Sequence, residues 1–144
     1  MDALVDVNVL FALVNERHVF HQIVCSWLDS QESGFRMGIC RQVQMTLIRL
    51  LANNAAMDND PLTLPEAWKV YASLIQDPAI FYFPEPAGFQ SCWIKFCQPY
   101  GASPKVLTDA YLAALAVTAG LPLATLDSDF RNFPGLSAVE IDRE

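Results

Sequence analysis

The sequence predicts an α/β fold on a mostly parallel sheet covered on both faces. Short apolar runs of strand length alternate with longer segments of helical periodicity along the whole chain. Two of the strand-like runs, ALVDV and LPLATL, lead into aspartates, Asp6 and Asp127. In open parallel sheets, sites form beyond the carboxyl ends of the strands, and both acids project to that edge.

Each element has its own local signal. ALVDV reads as a buried strand and VLFALVNE as the helix after it. HVFHQIVCSWLDS has helical periodicity, with Val19, Ile23, Trp27 and Leu28 on one side. FRMGI is a strand. RQVQMTLIRLLAN is a helix whose apolar stripe is Val43, Leu47, Leu50 and Leu51. MDNDPLTLPEAW is a loop that ends in a helix start, where Thr63 caps and Glu66 completes a capping box. That helix runs to about Leu74, AIFYF follows as a buried strand, and a looser helix covers Phe89–Phe96. Ser103 and Pro104 mark the next helix as N-cap and first residue, and Gly120 ends it. LPLATL and SAVEI are the last two strands.

At 144 residues, 53% of them hydrophobic, the chain is expected to form one domain, residues 1–144, with ample core. No window reaches the roughly 18 uninterrupted apolar residues of a membrane span. The opening MDALVDV lacks the positive region of a secretion signal. Cys25, Cys40, Cys92 and Cys97 have no C-x-x-C spacing and are expected to be free thiols in a reducing cytoplasm. A net charge of −7 argues against a general nucleic-acid coat protein but leaves room for a nuclease. Arg36, Arg41, Arg49, Lys95, Lys105 and Arg131 are available cations that form no run.

Three aspartates interrupt apolar runs: Asp6 in LVDVNVL, Asp109 in LTDAYLAALA and Asp127 in LATLDSDF. An ionised carboxylate in such surroundings needs compensation, and three oxygen donors from distant segments suit Mg²⁺ or Mn²⁺. Taken singly, Asp6 and Asp127 also serve as helix or turn caps. Asp109 lies inside a helix, where aspartate is a poor former, between apolar Val106 and Ala113. Lys105, one turn earlier, is its candidate ion-pair partner. The three acids together favour a metal-dependent phosphoryl-transfer or hydrolysis site.

LVDVNVL, VLTDAYLAALA and LATLDSDFRNFPGL, in that order, resemble the PIN domain, and most of all the VapC-like ribonuclease toxins. The resemblance covers essentially the whole chain. It implies a three-layer α/β/α sandwich with a central parallel sheet and an Mg²⁺- or Mn²⁺-dependent endoribonuclease. It also implies a homodimer neutralised by a small antitoxin protein. Asp6, Asp109 and Asp127 match the family's acidic positions, Asn8 and Thr125 its polar positions near the site, and Asp129 a further acid.

One position departs. The family places a glutamate on the third helix, a few residues before an arginine, and here VQMTLIRLL puts Gln44 at the glutamate and Arg49 at the arginine. Gln44 keeps a carbonyl oxygen without the charge, which predicts weaker metal binding, the second ion especially, and reduced activity. The nearest acids, Glu32 and Asp58, do not match that position. A PIN-fold binding or regulatory protein that has lost catalysis is therefore the alternative. A receiver domain would need an aspartate at the end of AIFYF, and a haloacid-dehalogenase-type phosphatase would need D-x-D where the chain has DVN. His18 and His21 have chelating spacing but read as a surface helix start. FYF, Trp93 and Phe96 read as core packing rather than a base-stacking platform.

Overall fold

Ala3, Leu4 and Val5 are buried, and strand β1 (Asp2–Val5) lies at the centre of the sheet. A strand covered on both faces needs such an unbroken apolar run rather than alternation. The computed structural model describes residues 1–101 and 103–144. β2 (Arg36–Ile39) and β3 (Ile80–Tyr82) extend the sheet on one side of β1, and β4 (Leu123–Thr125) and β5 (Ala138–Glu140) on the other. The order is β3-β2-β1-β4-β5, with every pairing parallel. The short outer strands are less buried than β1, as suits sheet edges.

Of helices α1 (Val7–Val14), α2 (His21–Asp29), α3 (Arg41–Leu51) and α4 (Leu64–Ile75), α1 packs against both α2 and α3, and α3 against α4. α5 (Phe89–Cys97) packs on α6 (Pro104–Ala119). The two groups are the outer layers of a three-layer α/β/α sandwich. α6 is buried continuously from Ala110 to Ala116, which its alanines permit by letting neighbours approach from all sides. Its less buried first turns carry Lys105 and Asp109 out toward the edge of the sheet.

The chain steps outward from β1 to β2 to β3, then returns to lay β4 on the other side of β1. This reversal makes β1 and β4 the topological switch point, the place where parallel sheets open a crevice. Asp6 follows β1 and Asp127 lies two residues beyond β4.

Local expectations differ from the structure in four places. α2 begins at His21, and Val19 is 79% exposed instead of lying on the apolar side. Asn15 and His18 close a turn there, with His18 Nδ1 accepting from the Phe20 N–H. Ser103 occupies the N-cap position of α6 without a side-chain capping bond. β3 is an edge strand with Tyr82 exposed, not a fully buried one. Leu50 is only partly covered. The capping box at Thr63 and Glu66 is formed, and Gly120 ends α6 with φ 69°. All four cysteines are free thiols. Among the described residues, no helix is long and apolar enough to cross a membrane.

Candidate active site

Asp6 leaves β1 in extended conformation and caps α1, its Oδ1 accepting from the Val7 N–H at 2.7 Å. Its Oδ2 accepts from the Thr125 hydroxyl at 2.8 Å. Thr125, fully buried at the end of β4, uses its one donor on Asp6 and accepts from the Asp127 N–H at 3.0 Å and Asn8 Nδ2 at 3.5 Å. Asn8 Oδ1 in turn accepts from the Leu126 N–H at 3.2 Å. The ends of β1 and β4 are thus joined by a closed side-chain network. Burial raises the Asp6 carboxyl above its ordinary pKa, with Asp127 adding to the rise and the Thr125 and Val7 bonds opposing it.

Asp127 caps the short 3₁₀ turn Ser128–Asn132, with Oδ1 accepting from the Asp129 N–H at 2.9 Å. Asp109 reaches the same place from α6. Its pKa is raised to about 6, first by burial and then by the charges of Asp6, Asp127 and Asp129, against the pull of Lys105. Asp6 and Asp127 are linked through Thr125 at the ends of β1 and β4, and Asp109, on the N-terminal half of α6, lies within reach of both charges. Among the described residues, Asp109 has no side-chain hydrogen-bond partner.

Lys105, expected opposite Asp109, instead pairs with Asp129 at 3.2 Å. Both side chains are largely exposed, so the pair is a rim contact worth little to stability. Asp129 is accordingly an exposed acid engaged by a lysine.

Gln44 lies in the first turns of α3, buried, with 6% of its surface exposed. Its Oε1 accepts from Arg41 Nη1, so one of its two carbonyl lone pairs is already engaged by a guanidinium. Arg41 stood in the sequence only as an available cation; its i, i+3 spacing to Gln44 was the one local signal of this contact. Tyr111, two residues past Asp109, was not singled out at all. It donates to Glu85 Oε2 at 2.8 Å, and burial together with that bond raises its pKa. His18 and His21 do not converge, since His21 Nδ1 meets the Ala12 carbonyl at 2.8 Å. Trp93 packs against Tyr111 and donates to the Leu107 carbonyl at 2.9 Å.

No group of three or more His, Cys, Asp or Glu side chains among the described residues forms a ready-made ion cage. The donor chemistry nonetheless fits a hard cation. All the groups are oxygens, their like charges oppose one another, and Asp109 stands without a proton donor of its own.

Residues 3–136 match the family described as PIN domain. The chain is 38% identical over 137 residues to Ribonuclease VapC41 of Mycobacterium tuberculosis, covering 92% of this chain and 94% of that protein. It is 31% identical over 144 residues to Ribonuclease VapC29 of the same organism, covering 98% and 97%. Among solved structures, VapBC2 from Rickettsia felis, bound to a promoter DNA fragment, superposes with a TM-score of 0.74 at 12% identity, covering 99% of this chain and 100% of that one. VapC20 of Mycobacterium tuberculosis, a toxin that cleaves the sarcin–ricin loop, superposes with a TM-score of 0.66 at 15% identity, covering 94% and 98%. A three-layer α/β/α fold with acids at its β1–β4 switch point defines a PIN-like class of protein. The chain belongs to the PIN domain family and, over nearly its whole length, is similar to the VapC ribonucleases.

Proposed function

We propose that the protein is a metal-dependent endoribonuclease, the toxin of a type II toxin–antitoxin pair, acting as a single domain over residues 1–144. One observation supports the reading: Thr125 links the Asp6 carboxylate to the Asp127 backbone at the switch point of the sheet, and both charges help raise the Asp109 carboxyl on α6. Similarity to relatives named ribonucleases supports the choice of RNA phosphodiester hydrolysis.

A shared Mg²⁺ or Mn²⁺ would offset two of the three carboxylate charges, lower the pKa of water and stabilise charge on the scissile phosphate. The protein's own part is positioning. Thr125 and the Val7 N–H hold the Asp6 carboxylate in one orientation, so it loses little freedom when a cation arrives. Asn8 keeps the β4 end, and with it Asp127, at fixed register against α1. Asp109 accepts a proton near pH 6 when no cation faces it. Asp129, tethered by Lys105, and Gln44, tethered by Arg41, are accessory to the three.

The partner is a small antitoxin protein, the working form a homodimer and the compartment the cytoplasm. A complex described as a toxin–antitoxin complex from Klebsiella pneumoniae superposes with a TM-score of 0.64 at 18% identity, which is consistent with the fold such complexes use. Gln44 favours a second reading, a PIN-fold binding protein without catalysis, because a neutral amide bound to Arg41 replaces an acid. Incubating the purified protein with single-stranded RNA in Mg²⁺, Mn²⁺ or EDTA separates the two. Cleavage that needs the ion and disappears in Asp109→Asn supports the nuclease. An intact substrate in both ions supports the binding protein.

A further inference from the structure

Arg41 opens α3 directly after β2, at the same end of the sheet as the acids. Its guanidinium lies 4.9 Å above the ring centre of Tyr82, the last residue of β3, while Nη1 donates to Gln44 Oε1. An exposed arginine ordinarily samples many rotamers, but this one is held by an aromatic face and an amide from two separate elements. Neither partner is charged. Arg17, Arg36, Lys105 and Arg131 are each paired with a carboxylate; Arg41, like Arg49, Lys69, Lys95 and Arg143, has no carboxylate partner among the described residues. This arrangement orders the guanidinium and leaves its charge available.

Arg41 follows β2 and Asp6 follows the neighbouring parallel strand β1, so the guanidinium and the acids share one edge of the sheet. A polyanionic strand approaching three carboxylates on a chain of net charge −7 meets repulsion that a fixed cation at the rim would offset. We propose that Arg41, laid on Tyr82 and steered by Gln44, binds a backbone phosphate of single-stranded RNA beside the acid site. Arg41 is the phosphate-binding residue, and Tyr82 and Gln44 position it. A planar guanidinium whose other N–H groups have no partner among the described residues suits two phosphate oxygens at once, and its order in advance of binding lowers the entropy lost on contact. This assignment rests on the ribonuclease reading.

The test measures fluorescence anisotropy of a labelled, cleavage-resistant phosphorothioate oligouridylate in Mg²⁺ across a series of salt concentrations. Arg41→Ala is expected to weaken binding roughly tenfold, as loss of one charged hydrogen-bonding contact does. The slope of log K against log salt should shrink by about 0.7, the value of one phosphate contact on a single strand. Arg41→Gln, which keeps hydrogen-bonding reach without charge, should lose the same slope and guards against a folding defect in the alanine variant. Tyr82→Leu should weaken binding by about threefold with the slope unchanged, because the charge stays but loses its shelf. Wild-type affinity and slope in both Arg41 variants would overturn the assignment and leave the ribonuclease reading standing. Failure of the wild-type protein to bind the oligonucleotide would overturn both.

Discussion

The Thr125 hydroxyl donates to Asp6 Oδ2 at 2.8 Å and accepts from the Asp127 N–H at 3.0 Å, so one buried side chain orients an acid just after β1 and the backbone leading to an acid beyond β4. Thr125→Val keeps the shape and removes every one of these bonds. We expect a loss of about 1–3 kcal/mol in denaturant unfolding, the cost of leaving buried polar groups unpaired. Metal affinity should fall with it, and Thr125→Ser should recover most of both. A valine variant with wild-type stability and wild-type Mn²⁺ affinity would show that the network does not hold the acids.

Asp109 sets a pH dependence of the metal-free protein. Its folded pKa of about 6 lies above the ordinary 3.8, so the folded state favours the protonated carboxyl. The stability this gives is fully present below about pH 4 and is lost as pH rises through about 6. In EDTA, the wild-type melting temperature should therefore decline across that window relative to Asp109→Asn, which has nothing to ionise. Parallel profiles for the two proteins would contradict the raised pKa.

Gln44→Glu restores the family's acid, but Arg41 already donates to the Gln44 carbonyl. The new carboxylate would first pair with that guanidinium, and the gain in metal affinity should be small, within about threefold. Combined with Arg41→Ala it should tighten Mn²⁺ binding by about tenfold, since the charge is then unneutralised. Calorimetry on both proteins reads the difference. Equal affinities in the single and double variants would show that Arg41 does not mask the position.

Gly38 on β2 sits where an added Cβ would come within 3.0 Å of both Leu4 Cδ2 and Phe81 Cζ. Leu4 is fully buried on the neighbouring strand and has little room to yield. Gly38→Ala is expected to lower stability by about 1–3 kcal/mol through overpacking. Chemical denaturation measures this directly, and an unchanged midpoint would mean that Phe81, partly exposed on the edge strand, turns aside freely.

Elements whose signals are local were legible in the sequence. The α4 start is written in Thr63 and Glu66, which cap each other at 3.2 and 2.9 Å, and the α6 end in Gly120. Asp6 and Asp127 could be set at one edge because strand–helix alternation dictates a parallel sheet, and Asp109 stood out as an acid inside an apolar helix. Choices between partners were not legible. Lys105 reaches Asp129, 24 residues away, rather than Asp109 one turn along its own helix, a contact that only the tertiary fold sets. Arg41 meets Tyr82 only because β3 pairs with β2. Val19 broke a periodicity that looked continuous, since the Asn15–His18 turn ends one helix before the next begins.

The central claim is that Asp6, Asp109 and Asp127 share one divalent cation. Titrating Mn²⁺ into the metal-free protein by calorimetry, for wild type and Asp109→Asn side by side at pH 7.5 or so, tests it most directly. We expect saturable binding to the wild type and at least a roughly tenfold weaker affinity in the variant, because one of three charged oxygen ligands becomes neutral. Equal affinities in the two proteins, or no saturable binding to the wild type, would contradict the site.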